Sequence, residues 1–267
     1  MAELFLFLAT AFFASVVGAI SGIGGGILIR PVLDMASGLS VAQISFLSGT
    51  TVLIMAFVSL LRYRAGLFNF RNSRYITLAI GGVFGGFSGK KLFSLALGQF
   101  PYPSLLGSLQ SGILFLLCGI CVLYTLKKNA VQTRNIENPL FCVFVGFGIG
   151  NVSAFLGIGG GPFNIVVLSY FFSMDSKTAA IGSLLMIFVS QTASLATLLV
   201  SSAVPAVPAS FLVLLPAGAV AGSVLGSFLS KKIKHKSVDR IFAIALTLVM
   251  VLCLYNCLAY LDVLHLP

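Results

Sequence analysis

Charge is what this chain has least of. Asp, Glu, Lys and Arg make up 8% of its 267 residues, against about a quarter in a soluble domain. So few charges could not cover a water-soluble protein of this length. The 58% of hydrophobic residues therefore points to a polytopic, all-α membrane protein. Acidic residues number only 6, and none falls in mid-span, so no carboxylate is placed to carry a proton or cation through a bilayer. The 2 histidines, His235 and His265, sit in a basic loop and in the tail. There is no H-E-x-x-H, no intramembrane aspartate pair and no Ser/His pair in apolar sequence, so the chain reads as a non-enzyme. No metal and no cofactor are expected. The 5 cysteines (Cys118, Cys121, Cys142, Cys253, Cys257) all lie in apolar segments. Cys118 and Cys121 have C-x-x-C spacing but sit in mid-helix without further ligands, as packing residues rather than a metal or disulfide pair. Met1–Ile20 lacks a basic n-region and a small-residue cleavage site, and is expected to be a retained membrane segment.

Positive charge is present but confined. The net charge of +10 comes from 16 Lys and Arg placed mostly in short loops, which sets topology and offers no continuous face for nucleic acid. Apolar segments run over 2–33, 43–61, 75–97, 105–126, 139–173, 178–201, 208–230 and 239–261. Six suit single spans of about 20 residues. The first and fifth are too long for one span and too short for two. If all eight crossed once, basic loops would fall almost evenly on both sides. If the fifth returns to its own side, all Lys and Arg except Arg30, Lys90 and Lys91 share one side, as expected of a cytoplasmic face.

What breaks the two long segments is glycine. Gly22-Ile23-Gly24-Gly25-Gly26 interrupts the first and Gly157-Ile158-Gly159-Gly160-Gly161 the fifth. The offset from Gly22 to Gly157 equals that from Ser48 to Ser183, which marks a two-fold repeat. Each half then holds a glycine-broken re-entrant helix pair plus three transmembrane helices. An odd number of crossings makes the two halves an inverted repeat. The halves are residues 1–126 and 139–267, joined by a cytoplasmic linker at 127–138. Two small-residue ladders, Gly81/Gly85/Gly89 and Gly218/Gly222/Gly226, each lie on one helix face and predict close helix packing rather than substrate contact.

Consecutive glycines cost a helix roughly 1 kcal/mol each relative to alanine. In a bilayer they also free backbone groups that must find partners. A half-helix starting at such a break presents unpaired N–H groups and a positive dipole end, both suited to an anion. The breaks themselves (Gly22, Gly24, Gly25, Gly26, Gly157, Gly159, Gly160, Gly161) are thus candidate binding residues for a small anionic substrate. Hydroxyls and amides nearby could complete its coordination: Ser21, Ser48, Thr51, Asn151, Asn164, Ser183 and Gln191, with Thr50 and Ser153 also close in sequence. Symmetry singles out Ser48 and Ser183. Arg30 is the one basic residue inside a glycine-bearing segment. It could draw in an anion, or snorkel and pair with Asp34.

The stretch from Gly22 to Pro31, its second copy from Gly157, the run ending at Ser48, Ala179–Ser183 and the two ladders together resemble the TauE/SafE sulfite exporters, also called the toluene sulfonate uptake permease family. Departures are Arg30, where the family usually has an apolar residue, Pro162 directly after the second glycines, and Val166 in place of a proline matching Pro31. The resemblance implies a multi-pass transporter in a bacterial-type inner membrane. Its substrate would be a small sulfur-containing anion, sulfite, sulfoacetate or a related organosulfonate, moved by alternating access as one half rocks against the other. An anion channel, or a carrier of another small carboxylate or oxyanion, stays open, as do proton or sodium coupling and homo-oligomerisation.

Overall fold

The computed structural model describes residues 2–63, 73–100 and 102–265. Arg64, Arg71 and the side chains of His235, Lys236 and His265 lie outside the described residues. Among the described residues the chain is all helix apart from one isolated bridge, Asn135 to Phe172. The first long segment becomes α1 (Ala2–Ser21) and α2 (Gly26–Ala36), and is followed by α3 (Val41–Tyr63), α4 (Ser73–Gln99) and α5 (Pro103–Lys127). The second half repeats the order with α6 (Pro139–Leu156), α7 (Gly161–Phe172), α8 (Ser176–Val200), α9 (Ala209–Lys232) and α10 (His235–His265). Seven helices are long and apolar enough to cross a membrane: α1, α3, α5, α6, α8, α9 and α10. α4 is long enough but carries Lys90 and Lys91 inside it. α2 and α7, of 11 and 12 residues, span only about 17 Å at 1.5 Å per residue and cannot cross.

Local chemistry sets where the helices begin. Asn138 accepts hydrogen bonds from the Leu140 and Phe141 N–H groups, with Pro139 in the first turn of α6. Asp175 caps α8 through the Lys177 and Thr178 N–H groups. Just before α6, the Arg134 and Ile136 N–H groups donate to the Tyr170 and Phe171 carbonyls at 2.7 and 3.0 Å. The end of α7 therefore returns to the start of α6. The same face is stitched by the Arg74–Glu137 ion pair and by Lys128, which reaches Asp239 at 3.5 Å and Ser176 at 2.7 Å. Across the two halves, Phe7 of α1 packs on Phe211 of α9 with ring centroids 5.2 Å apart. Gln43 of α3 donates to the Ala206 carbonyl in the loop before α9. The start of α1, the end of α2 and the start of α3 thus share the face of the 201–208 loop.

The glycine ladders join the halves to each other. Gly81, Gly85 and Gly89 of α4 lie in turn against the backbone at Val143, Phe147 and Asn151, so α4 and α6 run parallel in direct contact. Gly218, Gly222 and Gly226 of α9 lie likewise against Leu8, Phe12 and Val16 of α1. Because α4 belongs to the first half and α6 to the second, each ladder crosses between halves. Missing side chains let the backbones touch, and in an apolar medium that van der Waals contact is a main source of helix association. The cysteines are free, and Cys118, Cys121, Cys142 and Cys253 are buried packing residues. Gly85→Val would drive a side chain into the Phe147 carbonyl. It should lower stability by about 3 kcal/mol, read as thermal unfolding in detergent. Gly148→Ala, with open space at the β-carbon, should lose nothing.

Candidate functional site

The two breaks meet at the centre of the molecule. Gly22 and Gly24 take φ of 75° and 74°, and Gly157, Gly159 and Gly160 take 62°, 80° and 68°, a left-handed backbone that glycine adopts without steric cost. The breaks touch directly: a β-carbon on Gly161 would collide with the Ile23 carbonyl, and one on Gly26 would stand 2.7 Å from the Ile158 carbonyl. Val52 and Ile187 close in on Gly24 and Gly159. Ile23, Ile158, Val52 and Ile187 are no more than 1% exposed, so apolar side chains plug the gap in this conformation.

The serines singled out by symmetry hold the breaks crosswise. Ser48 Oγ donates to the Gly157 carbonyl at 2.5 Å. Ser183 Oγ lies 2.7 Å from the Gly22 carbonyl and 3.2 Å from that of Gly161. Each half thus supplies the hydroxyl that satisfies a carbonyl freed in the other half. One freed donor is also taken up, as the Gly25 N–H points at Met55 Sδ at 3.0 Å. Asn164 Nδ2 reaches the Gly159 carbonyl at 3.4 Å, and Gln191 Nε2 the Ser153 carbonyl at 3.3 Å. The remaining expected residues turn elsewhere. Thr51 and Ser21 return their hydroxyls to Leu47 and Val17 on their own helices. Asn151 donates to Ser88 at 2.6 Å in the α4–α6 contact.

Arg30 does not snorkel. It is 3% exposed, pairs with Asp34 at 3.6 Å and donates through Nη2 to Gln110 Oε1. Gln110 is held in turn by the Phe155 carbonyl at 2.6 Å, and Asp34 by the Tyr260 hydroxyl at 2.9 Å. Among the described residues Arg30 Nη1 has no hydrogen-bond partner. It lies 3.2 Å from where a Gly157 β-carbon would be, beside Ser45 Oγ. Ser45 accepts from Lys90 Nζ at 3.2 Å, and Lys90 is only 2% exposed. Sequence reading passed over Lys90, Ser45 and Gln110. The available signal was a lysine pair inside segment 75–97, directly after the Gly81/Gly85/Gly89 ladder.

The surroundings of the two breaks differ in polarity. Gly157 faces Ser45 and Arg30, whereas Gly22 faces the methyl and backbone of Ala180. Lys90 borders a small polar pocket with Ser45, Gly49, Thr50, Gln191 and Ser194. It also borders a cavity of about 370 Å³ lined by Ala42, Phe93, Leu198, Ala203 and Pro205. That cavity lies at the 201–208 loop, away from the basic loops. A family model described as sulfite exporter TauE/SafE matches residues 7–253. No curated protein and no solved structure matches the chain.

Ser48→Ala and Ser183→Ala each strand a buried carbonyl of the opposite half. Each should cost about 1–3 kcal/mol, measured as a lowered unfolding midpoint in detergent, while Thr51→Ala, whose hydroxyl serves only its own helix, should change little.

Proposed function

Since this chain belongs to the sulfite exporter TauE/SafE family, we propose that it is a secondary transporter moving a small sulfur-containing anion, sulfite, sulfoacetate or a related organosulfonate, by alternating access. The observation that carries the reading is the meeting of two glycine breaks at the buried centre, each held by a serine from the other half. Half-helices α2 and α7 start there, with the dipole ends that favour an anion. The returns of α7 to the start of α6, and of α2 to the face shared by the start of α1 and the 201–208 loop, support two re-entrant units entering from opposite faces. Residues 1–126 and 139–267 are then inverted repeats, with the linker at 127–138 on the cytoplasmic side of a bacterial-type inner membrane, where the basic loops gather. No part of this mechanism asks the chain to make or break a covalent bond.

The moving bodies are not the two sequence halves. The ladders bind α1 to α9 and α4 to α6, so rocking one half against the other would tear both apart. A motion that preserves them pairs α1, α3 and α9 against α4, α6 and α8 and slides along the α3–α8 contact. The isoleucine and valine plug between the breaks supports a carrier over an open anion channel, since a channel needs a continuous path. Saturable counterflow in proteoliposomes distinguishes the two, and the same assay with a pH gradient or sodium identifies the coupling ion.

Gly25→Val and Gly160→Val are expected to reach the membrane and lose anion transport by at least about tenfold, which about 1.4 kcal/mol of lost binding would produce. Normal uptake by both would refute a site at the breaks. Cysteines at Ser201 and Ser237 should label from opposite sides with an impermeant reagent, Ser237 from the cytoplasm. Labelling of Ser237 from outside would reverse the orientation.

A further inference from the structure

The charges in the interior do not balance, and they are not where the repeat would put them. Around Gly157 two cations, Arg30 and Lys90, face a single carboxylate, Asp34, already shared with Tyr260. Among the described residues no carboxylate lies within ion-pair distance of Lys90. A cation held away from water is strongly unfavourable unless something of opposite charge accompanies it. The twofold offset takes Arg30 to Ile165 and Ser45 to Ala180, so one half carries a polar cluster where the other is apolar.

Three donors converge there from three helices. Arg30 Nη1 on α2 is unpartnered. Ser45 on α3 accepts from Lys90, which leaves its own hydroxyl proton free to donate. Lys90 on α4 keeps two further N–H donors and stands at the floor of the 370 Å³ cavity. Its neighbour Phe93 lies with its ring centroid 4.5 Å from Nζ, a cation–π contact on one side of the ammonium. Donors approaching from separate helices match oxygens that point in separate directions. Sulfite and sulfonate groups present three such oxygens, whereas a carboxylate presents two in one plane.

We propose that Lys90, Ser45 and Arg30 form the binding subsite for the three-oxygen sulfur head group, reached through the cavity at the 201–208 loop. The inference rests on the transport reading above and adds to it the residues and the side of access. Because only one half carries the cluster, the site is polar on the side facing away from the basic loops.

The test is binding of sulfite, sulfoacetate and acetate to purified full-length protein by calorimetry, with transport in proteoliposomes alongside. Lys90→Gln should weaken sulfite and sulfoacetate at least about tenfold, the scale of one lost charge-assisted hydrogen bond. Lys90→Arg should restore most of that affinity, acetate should bind more weakly than sulfite throughout, and Lys91→Gln, an exposed neighbour, should match the wild type. Independently of those variants, sulfite should slow modification of Ala42→Cys, at the cavity wall, by an impermeant thiol reagent. Unchanged sulfite affinity in folded Lys90→Gln, or no protection of Ala42→Cys, overturns the subsite and leaves the transport reading standing. Wild-type protein that neither binds nor moves any of the sulfur anions overturns both.

Discussion

Peptide groups freed in a bilayer interior must find partners, and this constraint organises the molecule. A break in a transmembrane helix exposes N–H and C=O groups to a medium that offers no water. Here the partners come from across the structure: Ser48 serves Gly157 and Ser183 serves Gly22. Each break takes one of its partners from the other half, so the halves stabilise each other's defect. The left-handed glycines let the chain turn sharply enough to bring the breaks into contact, and Gly161 against Ile23 leaves no room even for a methyl group.

The ladders extend the same mutual dependence to whole helices. α4 lies on α6 and α9 on α1, each with backbone against backbone. In water, burial of apolar surface would hold such helices together, but against lipid that driving force is absent and close contact has to replace it. The packing that stabilises the fold therefore also decides which groups of helices can move as rigid bodies in the proposed cycle. It allows a slip between mixed bundles and resists separation of the sequence halves.

Across the two glycine breaks the charge is asymmetric. Arg30 bonds to Asp34 and Gln110 and Asp34 to Tyr260, while Lys90 bonds to Ser45 alongside them, beside a single break. In the proposed cycle, a one-sided cluster would give the two faces different affinities for an anion.

How much was written in the sequence divides along physical lines. Hydropathy and glycine spacing are properties of the chain itself, so the helical membrane class, the broken segments at 22–26 and 157–161 and the ladders as packing faces were legible there, whereas Ser48 and Ser183, singled out as anion ligands, donate to carbonyls of the breaks. Asn151 and Thr51 read as site residues because they lie near a break in sequence. The Asn151 amide donates to Ser88 and the Thr51 hydroxyl to the Leu47 carbonyl instead. Lys90 reads only as a leftover charge, since nothing in its neighbours along the chain reveals that the far end of α4 lies beside the start of α3 and brings it to Ser45. Periodicity and composition are local and survive in one dimension. Which hydroxyl answers which carbonyl, and which cation remains without a counter-charge, depends on contacts between helices far apart in the chain, and those exist only once it is folded.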